Sequence, residues 1–582
     1  MEPLKVILRS VRDAKRPTIL TFIFILGEVF LEVLIPFITS DLVNYIEDGE
    51  PLGKVVRVGL IMVAAAIFSL VCGAAAGYYS AHASAGLARN LRKDIFGRVQ
   101  SFSFSNIDKF STASLVTRMT TDVTSVQTAY MMSIRIAVRA PVMLVFAVIM
   151  AFIKGGALAT TFVVVIPVLV FGLIMIARFA MPAFRAVFKK YDKLNESVEE
   201  DVRAMRVVKG FAREGYETDK FSVASEDIKK DFTKAERIVA VNAPLMQLCI
   251  YFNMLFIMYV GSKLIITNQG STINVGEMTA MITYGVQILM SLMMISIIYV
   301  MLTMSFEAMK RIAEVLVEEP AIVDPEEPVM EVKDGSVEFT DVSFRYTADA
   351  NLPALSDIDL KIESGMTVGI LGGTGSSKST LVQLISRLYD VSEGSVKVGG
   401  VDVRDYDIKT LRDAVSVVLQ KNVIFSGTIK ENLRWGNKDA TDEEIKEACR
   451  LAQADEFIMS FEDGYDTKIE QGGTNVSGGQ KQRLCIARAL LKKPKVLILD
   501  DSTSAVDTAT DAKIRKGFKE YIPDTTKIII AQRVASVMDA DMIVMMEGGK
   551  ILASGTHDEL LKTCDVYKET YEQQTRKGGD ES

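Results

Sequence analysis

The sequence predicts an all-α transmembrane domain of six helices with long cytoplasmic helix extensions, followed by an α/β domain built around a phosphate loop. Two observations support this fold class. Residues 1–310 contain six long apolar runs, whereas the remainder has the composition of an ordinary soluble domain. In that remainder a glycine-rich loop follows an apolar strand and precedes a helix, which is typical of loops that bind phosphate.

Length and composition narrow the class of protein. The chain has 582 residues, enough for about two to four domains. Its hydrophobic content is 49% and its net charge is −7, with no basic block suited to nucleic acid, so we expect no nucleic-acid partner. The five cysteines are scattered, without C-x-x-C or metal-ligand spacing, and do not imply disulfides.

Six apolar runs are long enough to cross about 30 Å of hydrocarbon at ~20 residues each. Basic residues are abundant before the first run, between the second and third, and between the fourth and fifth, which places these segments and both chain ends in the cytoplasm. A signal peptide is the alternative for the first run, but the run is long for one and no small-residue cleavage site follows, so we favour a retained span. The predicted spans are 18–39, 57–81, 131–153, 157–180, 244–267 and 277–305.

The two long cytoplasmic connections need structure of their own. Apolar residues recur at helical spacing in both, from Leu87 to Val99 and from Val198 to Val208, and predict amphipathic helices that extend the spans. We expect these helices to turn at 104–110 and at 210–221. The predicted domains are a transmembrane domain over 1–317, a linker over 318–332, a nucleotide-binding domain over 333–567 and a polar tail over 568–582.

Polar residues inside spans are costly and often functional. Glu28 and Glu32 lie one helical turn apart in the first span, Arg135 and Arg139 lie in the third, and Asn253 lies in the fifth. The acids either line a substrate pathway or pair with the arginines between helices, and we favour pairing. The sixth span is rich in methionine, which suits varied ligands or ordinary packing, and we favour packing. These methionines are Met278, Met281, Met290, Met293, Met294, Met301 and Met304.

The phosphate loop begins after the apolar strand 368–371. In the G-x-x-x-x-G-K-[ST] pattern, the lysine, here Lys378, reaches the β and γ phosphates, and the Ser379 hydroxyl binds Mg²⁺. Ser377 replaces the glycine that precedes the lysine, and we expect binding to survive with a slightly altered backbone fit. The loop residues are Gly372, Gly373, Thr374, Gly375, Ser376, Ser377, Lys378, Ser379 and Thr380.

A second stretch carries an SGGQ tetrad, a helix-like run to Leu491 and the apolar strand 496–499, which ends in Asp500 and Asp501. An acid at the carboxyl end of a buried parallel strand lies where open α/β sheets bind ligands. The tetrad consists of Ser477, Gly478, Gly479 and Gln480.

Together these features resemble the nucleotide-binding domain of an ABC transporter, and the whole chain resembles an exporter-type half-transporter of six spans plus one ATP-binding domain. The resemblance implies ATP and Mg²⁺ as cofactors. It implies that Tyr346 stacks on adenine, that Gln420 contacts Mg²⁺ and the attacking water, and that Asp500 holds Mg²⁺ through water. The stretch from Ser504 to Asp507 matches the D-loop, which communicates across a dimer.

The two predicted cytoplasmic turns resemble the coupling loops of this family, and the segments 110–122 and 206–214 carry that resemblance. In the family, these loops transmit the motion of the ATPase domains to the spans. The SGGQ tetrad caps the γ-phosphate bound by the other subunit, so one chain supplies half of each of two ATP sites. A second half-transporter chain is therefore required.

Two positions depart from the family pattern. Asp501 stands where hydrolytic members carry a glutamate general base, and Gln532 stands where they carry the switch histidine. The two histidines of the chain, His82 and His557, occupy neither position. This pattern resembles the degenerate subunit of a heterodimeric, multidrug-like exporter in a bacterial cytoplasmic membrane. It implies slow hydrolysis at this chain's own site and most turnover at the site of a partner that carries the glutamate and histidine.

The leading interpretation is an ATP-hydrolysing translocase that exports its substrate by alternating access. The alternatives are an ATP-gated regulator or channel, an importer built on the exporter scaffold, and a homodimer with two degenerate sites. The substrate is unknown, and amphiphilic drugs, lipids and peptides remain open.

Overall fold

The structure is a computed structural model that describes residues 3–267, 273–347, 352–501 and 507–579. The chain forms two compact units. The first comprises Met1–Gln100 and Ser111–Glu318, and the second comprises Ser101–Phe110 and Glu319–Ser582. The short segment 101–110 therefore belongs to the second unit, although its neighbours in sequence on both sides belong to the first.

The first unit is built from helices. The helices of the N-terminal half, of which α4 lies in the second unit, are α1 (Pro3–Arg9), α2 (Lys15–Glu47), α3 (Leu52–Gln100), α4 (Phe104–Lys109), α5 (Thr112–Thr117), α6 (Val123–Gly155), α7 (Thr160–Arg203), α8 (Met205–Gly210), α9 (Glu214–Ala240), α10 (Asn242–Thr267) and α11 (Val275–Val317).

The six predicted spans all fall in these helices. Within the described residues, five continuous helical stretches are long and apolar enough to cross a membrane, and one of them, Thr112–Arg203, contains both α6 and α7. A 3-10 turn at Gly156–Ala159 separates α6 from α7, and Gly156 there has a left-handed φ of 45°. Helix α3 has 49 residues and α7 has 44, far more than the ~20 needed to cross a bilayer. The predicted fold class, including the helix extensions, is confirmed.

The two predicted turns between the spans have local structure of their own. The first predicted turn contains α4, whose N-terminus is closed by a capping box between Ser103 and Asn106. The second lies between α8 and α9, at residues 211–213. The amphipathic helix predicted from Val198 to Val208 is interrupted at Ala204, which separates α7 from α8.

One of the two arginines predicted in the third span pairs with the acids of the first span. Arg139 of α6 donates to Glu32 Oε2 of α2 at 2.6 Å and lies 3.6 Å from Glu28 Oε1. The Glu28 carboxylate packs so closely on Gly73 of α3 that a β-carbon there would lie 3.1 Å from Oε1. Three helices thus meet around one ion cluster, which is the pairing alternative that we favoured over a pathway.

The methionines of α11 divide into two groups. Met281 is fully buried against Gly155 of α6, where a β-carbon would overlap its sulfur. Met290 and Met294 are 47% and 42% exposed. Packing therefore accounts for Met281, whereas the other two remain on the surface of this chain. The side chain of Met304 lies outside the described set.

The second unit combines three sheets with short helices. Its strands are β1 (Val337–Phe344), β2 (Leu355–Ile362), β3 (Thr367–Gly372), β4 (Glu393–Val398), β5 (Val401–Asp402), β6 (Val415–Val418), β7 (Gly427–Thr428), β8 (Lys468–Ile469), β9 (Val496–Asp500), β10 (Thr526–Ile530), β11 (Met542–Glu547) and β12 (Lys550–Gly555). Its remaining helices are α12 (Lys378–Ile385), α13 (Ile408–Ala414), α14 (Ile429–Leu433), α15 (Asp442–Leu451), α16 (Asp455–Met459), α17 (Gly478–Leu490), α18 (Thr508–Tyr521), α19 (His557–Thr563) and α20 (Asp565–Gly579).

The central sheet has six strands in the order β12-β11-β3-β10-β9-β6. Strands β3, β10, β9 and β6 are parallel, with Ile530 level with both Ile370 and Asp500, and Val418 level with Leu499. All residues of β9 and β10 are buried, as expected for parallel strands covered on both faces, and these include Thr526 and Lys527 at the start of β10. A second, antiparallel sheet has the order β2-β1-β4-β5.

The ion cluster around Arg139 gives a test of the first unit. We expect Arg139→Met to lower the apparent Tm of the purified chain by several degrees, because it leaves two carboxylates of α2 without their cation. Adding Glu32→Gln should recover part of that loss, since contacting residues are energetically coupled. The control cycle uses the exposed pair Arg203–Glu199 of α7, whose coupling should be undetectable. Additive effects at Arg139 and Glu32 would contradict the pairing.

Candidate nucleotide site

One edge of the central sheet collects the predicted site residues. Because β3, β6, β9 and β10 are parallel, their carboxyl ends meet at the same edge. The phosphate loop follows Gly372 at the end of β3, and Gln420 follows β6 by two residues. Asp500 ends β9, and Gln532 follows β10 by two residues. Ligands of open α/β sheets bind at this edge.

The backbone of the phosphate loop depends on left-handed residues. A β-carbon on Gly372 would lie 2.3 Å from the Met546 carbonyl oxygen, so that position has no room for a side chain. Ser377, which precedes α12, has φ 68° and ψ 23°. A non-glycine residue pays about 1–2 kcal/mol for that conformation. The loop therefore keeps the backbone that a glycine would adopt without strain.

Lys378 is held on the inner side of this loop. Its Nζ donates to the carbonyl oxygens of Gly372 and Gly373 at 2.9 and 2.8 Å. Burial lowers the pKa of Lys378, while the nearby carboxylates of Asp500 and Asp501 act in the opposite direction. A half-buried ammonium surrounded by carbonyl groups is well placed to meet an anionic phosphate, which could accept the same hydrogen bonds.

Ser379 and Asp500 converge as oxygen donors. The Ser379 hydroxyl donates to Asp500 Oδ1 at 2.9 Å. Burial raises the pKa of Asp500, and the hydrogen bond from Ser379 opposes this. Mg²⁺ is bound by one or two protein oxygens together with substrate phosphates and water. Across the described residues, no group of three or more acidic, histidine or cysteine side chains could hold a metal alone. Ser379 and Asp500 thus fit Mg²⁺ that arrives with a nucleotide.

The two residues that depart from the family pattern are bonded to each other. Gln532 Nε2 donates to Asp501 Oδ2 at 2.7 Å. Asp501 has a left-handed φ of 47°, and its amide donates to the Ile530 carbonyl oxygen at 3.1 Å. An amide donor cannot shuttle a proton near neutral pH. The Asp501 carboxylate is therefore held by a group that cannot relay a proton.

Gln574 of α20 fixes the segment that carries Gln532. Its Nε2 donates to the Gln532 carbonyl oxygen at 3.0 Å, and its Oε1 accepts from the Val534 amide at 2.8 Å. From the sequence, this residue is predicted to lie in the polar tail 568–582, and it matches no motif. A lone glutamine in a polar stretch carries no signal that would identify it, because its partners are backbone groups distant in sequence.

The SGGQ tetrad forms the start of α17. Ser477 Oγ accepts from the Gln480 amide at 3.3 Å, and Gln480 Oε1 accepts from the Ser477 amide at 2.8 Å. This capping box leaves the amides of Gly478 and Gly479 in the first turn of the helix, where anions bind. In the described part of the chain, no hydrogen bond joins the tetrad to the phosphate loop.

The D-loop is only partly described. Residues 504–506 lie outside the described ranges. Asp507 is the N-cap of α18, and its Oδ1 accepts from the Thr510 amide at 2.9 Å. The Gln420 side chain is exposed at the sheet edge, two residues beyond β6.

An aromatic cluster connects the predicted adenine-stacking residue to α4. Tyr346 is 48% exposed, and its hydroxyl shares a 2.8 Å hydrogen bond with Thr380 Oγ1. Its ring meets Tyr389 edge-to-face at 5.3 Å, and Tyr389 also meets Phe104 at 6.0 Å. The Tyr389 hydroxyl donates to Asp108 Oδ2 at 2.6 Å. Burial and this carboxylate raise the pKa of Tyr389. Tyr389 matches no motif, so its role could not be identified from the sequence.

Comparisons with known proteins agree with this architecture. The family model described as "ABC transporter transmembrane region" matches residues 18–304, and the one described as "ABC transporter" matches residues 355–504. The chain is 36% identical over 566 residues to the "Uncharacterized ABC transporter ATP-binding protein YfiB" of Bacillus subtilis, covering 97% of each chain. It is 34% identical to the "Uncharacterized ABC transporter ATP-binding protein MT1311" of Mycobacterium tuberculosis, covering 96% of each.

Among solved structures, the chain is similar to "a bacterial Atm1-family ABC exporter with ATP bound". The TM-score is 0.81 at 23% sequence identity, and the match covers 98% of this chain and 99% of that one. The similarity shows that the two chains share a fold along nearly their whole length.

The Tyr389–Asp108 hydrogen bond should anchor α4. We expect Tyr389→Phe to speed amide hydrogen exchange in 104–109 by about tenfold, since a hydrogen bond to a charged group contributes about 1.5–3 kcal/mol and this one is partly exposed. The control is Tyr465→Phe, which removes a matched 2.6 Å hydrogen bond to Asp455 elsewhere in the same unit. If Tyr389→Phe speeds exchange in α4 no more than Tyr465→Phe does, Tyr389 is not its anchor.

Proposed function

Because this chain belongs to the ABC transporter family, we propose that it is one subunit of an ATP-driven exporter that works by alternating access with a second half-transporter. The chain carries one transmembrane region and one ATPase domain, which is half of such a machine. The exporter fold favours export over import. We place both termini and the ATPase domain in the cytoplasm, because connections rich in lysine and arginine tend to remain on that side of the membrane.

A groove on the second unit supports docking of a second chain. It encloses a cavity of about 370 Å³, and the stacked rings of Phe425 and Trp435, 4.3 Å apart, line it. Trp435 is 64% exposed in this chain. Phe211, at the turn between α8 and α9, is 76% exposed. A partner that presents an aromatic turn of the same kind would cover this exposed apolar surface.

The asymmetry of the proposed dimer rests on one observation, the hydrogen bond from Gln532 to Asp501. Lys378 is placed to neutralise phosphate, and Ser379 and Asp500 are placed to hold Mg²⁺, so nucleotide binding is preserved. Asp501 and Gln532 are poorly suited to removing a proton from the attacking water. The aspartate carboxylate is retracted by about 1.5 Å relative to a glutamate, and a misplacement of ~1 Å can cost about 10²-fold in rate. Gln532 cannot compensate as a proton carrier.

The SGGQ tetrad serves the other site in this proposal. Closure of the two ATPase domains brings the first turn of α17 onto the γ-phosphate held by the partner's loop. That partner supplies the glutamate base and the switch histidine. Its site performs most of the hydrolysis, while the site on Lys378 holds ATP for longer and turns over slowly.

The test removes one acid at a time from the heterodimer. We expect Asp501→Asn to lower steady-state ATPase activity less than about threefold, because little of the turnover passes through that site. Replacing the partner's matching glutamate by glutamine should lower it by about 10² or more, since that residue removes the proton. ATPase activity is measured on the complex that co-purifies with this chain.

Asp439→Asn, at an exposed acid of the same domain, is the matched control and should leave ATPase activity unchanged. The asymmetric model is wrong if Asp501→Asn costs as much as the change in the partner. Brisk ATPase activity of this chain purified alone would show instead that a homodimer is competent and would remove the need for a second kind of subunit.

A further inference from the structure

We propose that a groove between α7 and α11 is a binding site for a free anionic amphiphile, a molecule with an acidic headgroup and an apolar body. This inference names a substrate class for the proposed exporter. The conclusion that the bound amphiphile is also transported rests on the proposed function. The groove lies wholly in the first unit.

Two adjoining cavities form the groove. They have volumes of about 550 and 780 Å³ and share four lining residues. Each is within the range of ~300–1,000 Å³ that is typical of small-molecule sites. The shared residues are Met181, Arg185, Tyr299 and Thr303.

The charge of the groove is unbalanced. Arg178, Arg185 and Lys189 line it from α7, and their spacing of seven and four residues places them on one face of the helix. In the described part of the chain, none of the three makes an ion pair or a side-chain hydrogen bond. Glu307 is the acid in the lining. Three cations against one carboxylate leave an excess of positive charge.

Arg311 provides an internal comparison. It also lines the groove, but it donates two hydrogen bonds to Asp122, at 2.8 and 2.6 Å. Among the side chains that the structure describes, an acid therefore pairs with this arginine and none pairs with the three cations of α7. All three cations are exposed, and Arg178 lies within the predicted span 157–180, whereas Arg185 and Lys189 lie on the extension of the same helix. A groove lined by charges of one sign attracts ligands of the opposite sign.

The rest of the lining is apolar with a few hydroxyl groups. Leu173 and Ile174 of α7 face Leu292 and Ile295 of α11 in the smaller cavity, and Ser296 adds a hydroxyl group to it. Arg185 and Lys189 are one turn apart and can hold one acidic headgroup together, with Arg forming paired hydrogen bonds to its oxygens. The apolar body would then lie along the smaller cavity towards Arg178. A cationic or neutral amphiphile would leave these charges unpaired.

The test measures binding without nucleotide. The complex in phosphatidylcholine nanodiscs is titrated with 11-(dansylamino)undecanoate and with a dansyl-alkylamine of equal length, and dansyl fluorescence reports the Kd. We expect Arg185→Gln with Lys189→Gln to weaken binding of the carboxylate about tenfold or more. Binding of the amine should not weaken. The swap Arg185→Lys with Lys189→Arg retains both charges and should retain affinity for the carboxylate.

Arg203→Gln is the matched control, because Arg203 lies on α7 outside both cavities and is paired with Glu199. Equal losses for both probes would overturn the proposal, as would a carboxylate affinity that the double substitution leaves unchanged. Thirty per cent phosphatidylglycerol in the nanodiscs provides the second arm. If it displaces the carboxylate from the unmodified complex, the occupant is a bilayer lipid and not a free amphiphile. This experiment uses no ATP. A negative binding result would therefore not contradict the proposed ATPase asymmetry, and a negative ATPase result would not contradict binding of the amphiphile.

Discussion

The parallel pairing of β3, β10, β9 and β6 is the constraint on which the ATPase unit depends. Register places Ile530 beside Asp500 and Ile370, so the strands end together and their following residues share one edge. The residues that follow each strand therefore come together at this edge. For that reason Asp501 and Gln532, one and two residues beyond their strands, can meet in one hydrogen bond.

The Asp501–Gln532 bond does not act alone. Gln574 holds the backbone on both sides of Arg533, so the position of Gln532 is fixed from the C-terminal helix α20. On the other side of the site, Tyr389 contacts Tyr346 and also bonds to Asp108 in α4. Within the second unit, a predicted adenine contact and a predicted coupling segment are therefore one residue apart.

The sequence predicts long-range organisation better than local partners. The six spans follow from apolar length. The sheet edge follows from the apolar run 496–499 and the acid after it, because buried parallel strands are largely apolar. Pairing of Arg139 with Glu28 and Glu32 was one of two alternatives, since spacing fixes the face of a helix but not its neighbour. The roles of Tyr389 and Gln574 could not be predicted, because they depend on contacts between segments far apart in the chain. The interruption at Ala204 could not be predicted either, because no proline or glycine lies there.

The central claim is that this chain's own site retains ATP while the partner's site hydrolyses it. Photolabelling during steady-state turnover tests this directly, with 8-azido-ATP that carries radioactive phosphorus at either the α or the γ position. The two chains are separated after irradiation, and the label on each is counted. The account predicts that this chain retains α and γ label in nearly equal amounts, whereas the partner retains mainly α label. Loss of γ label from this chain to the same extent as from the partner would contradict it.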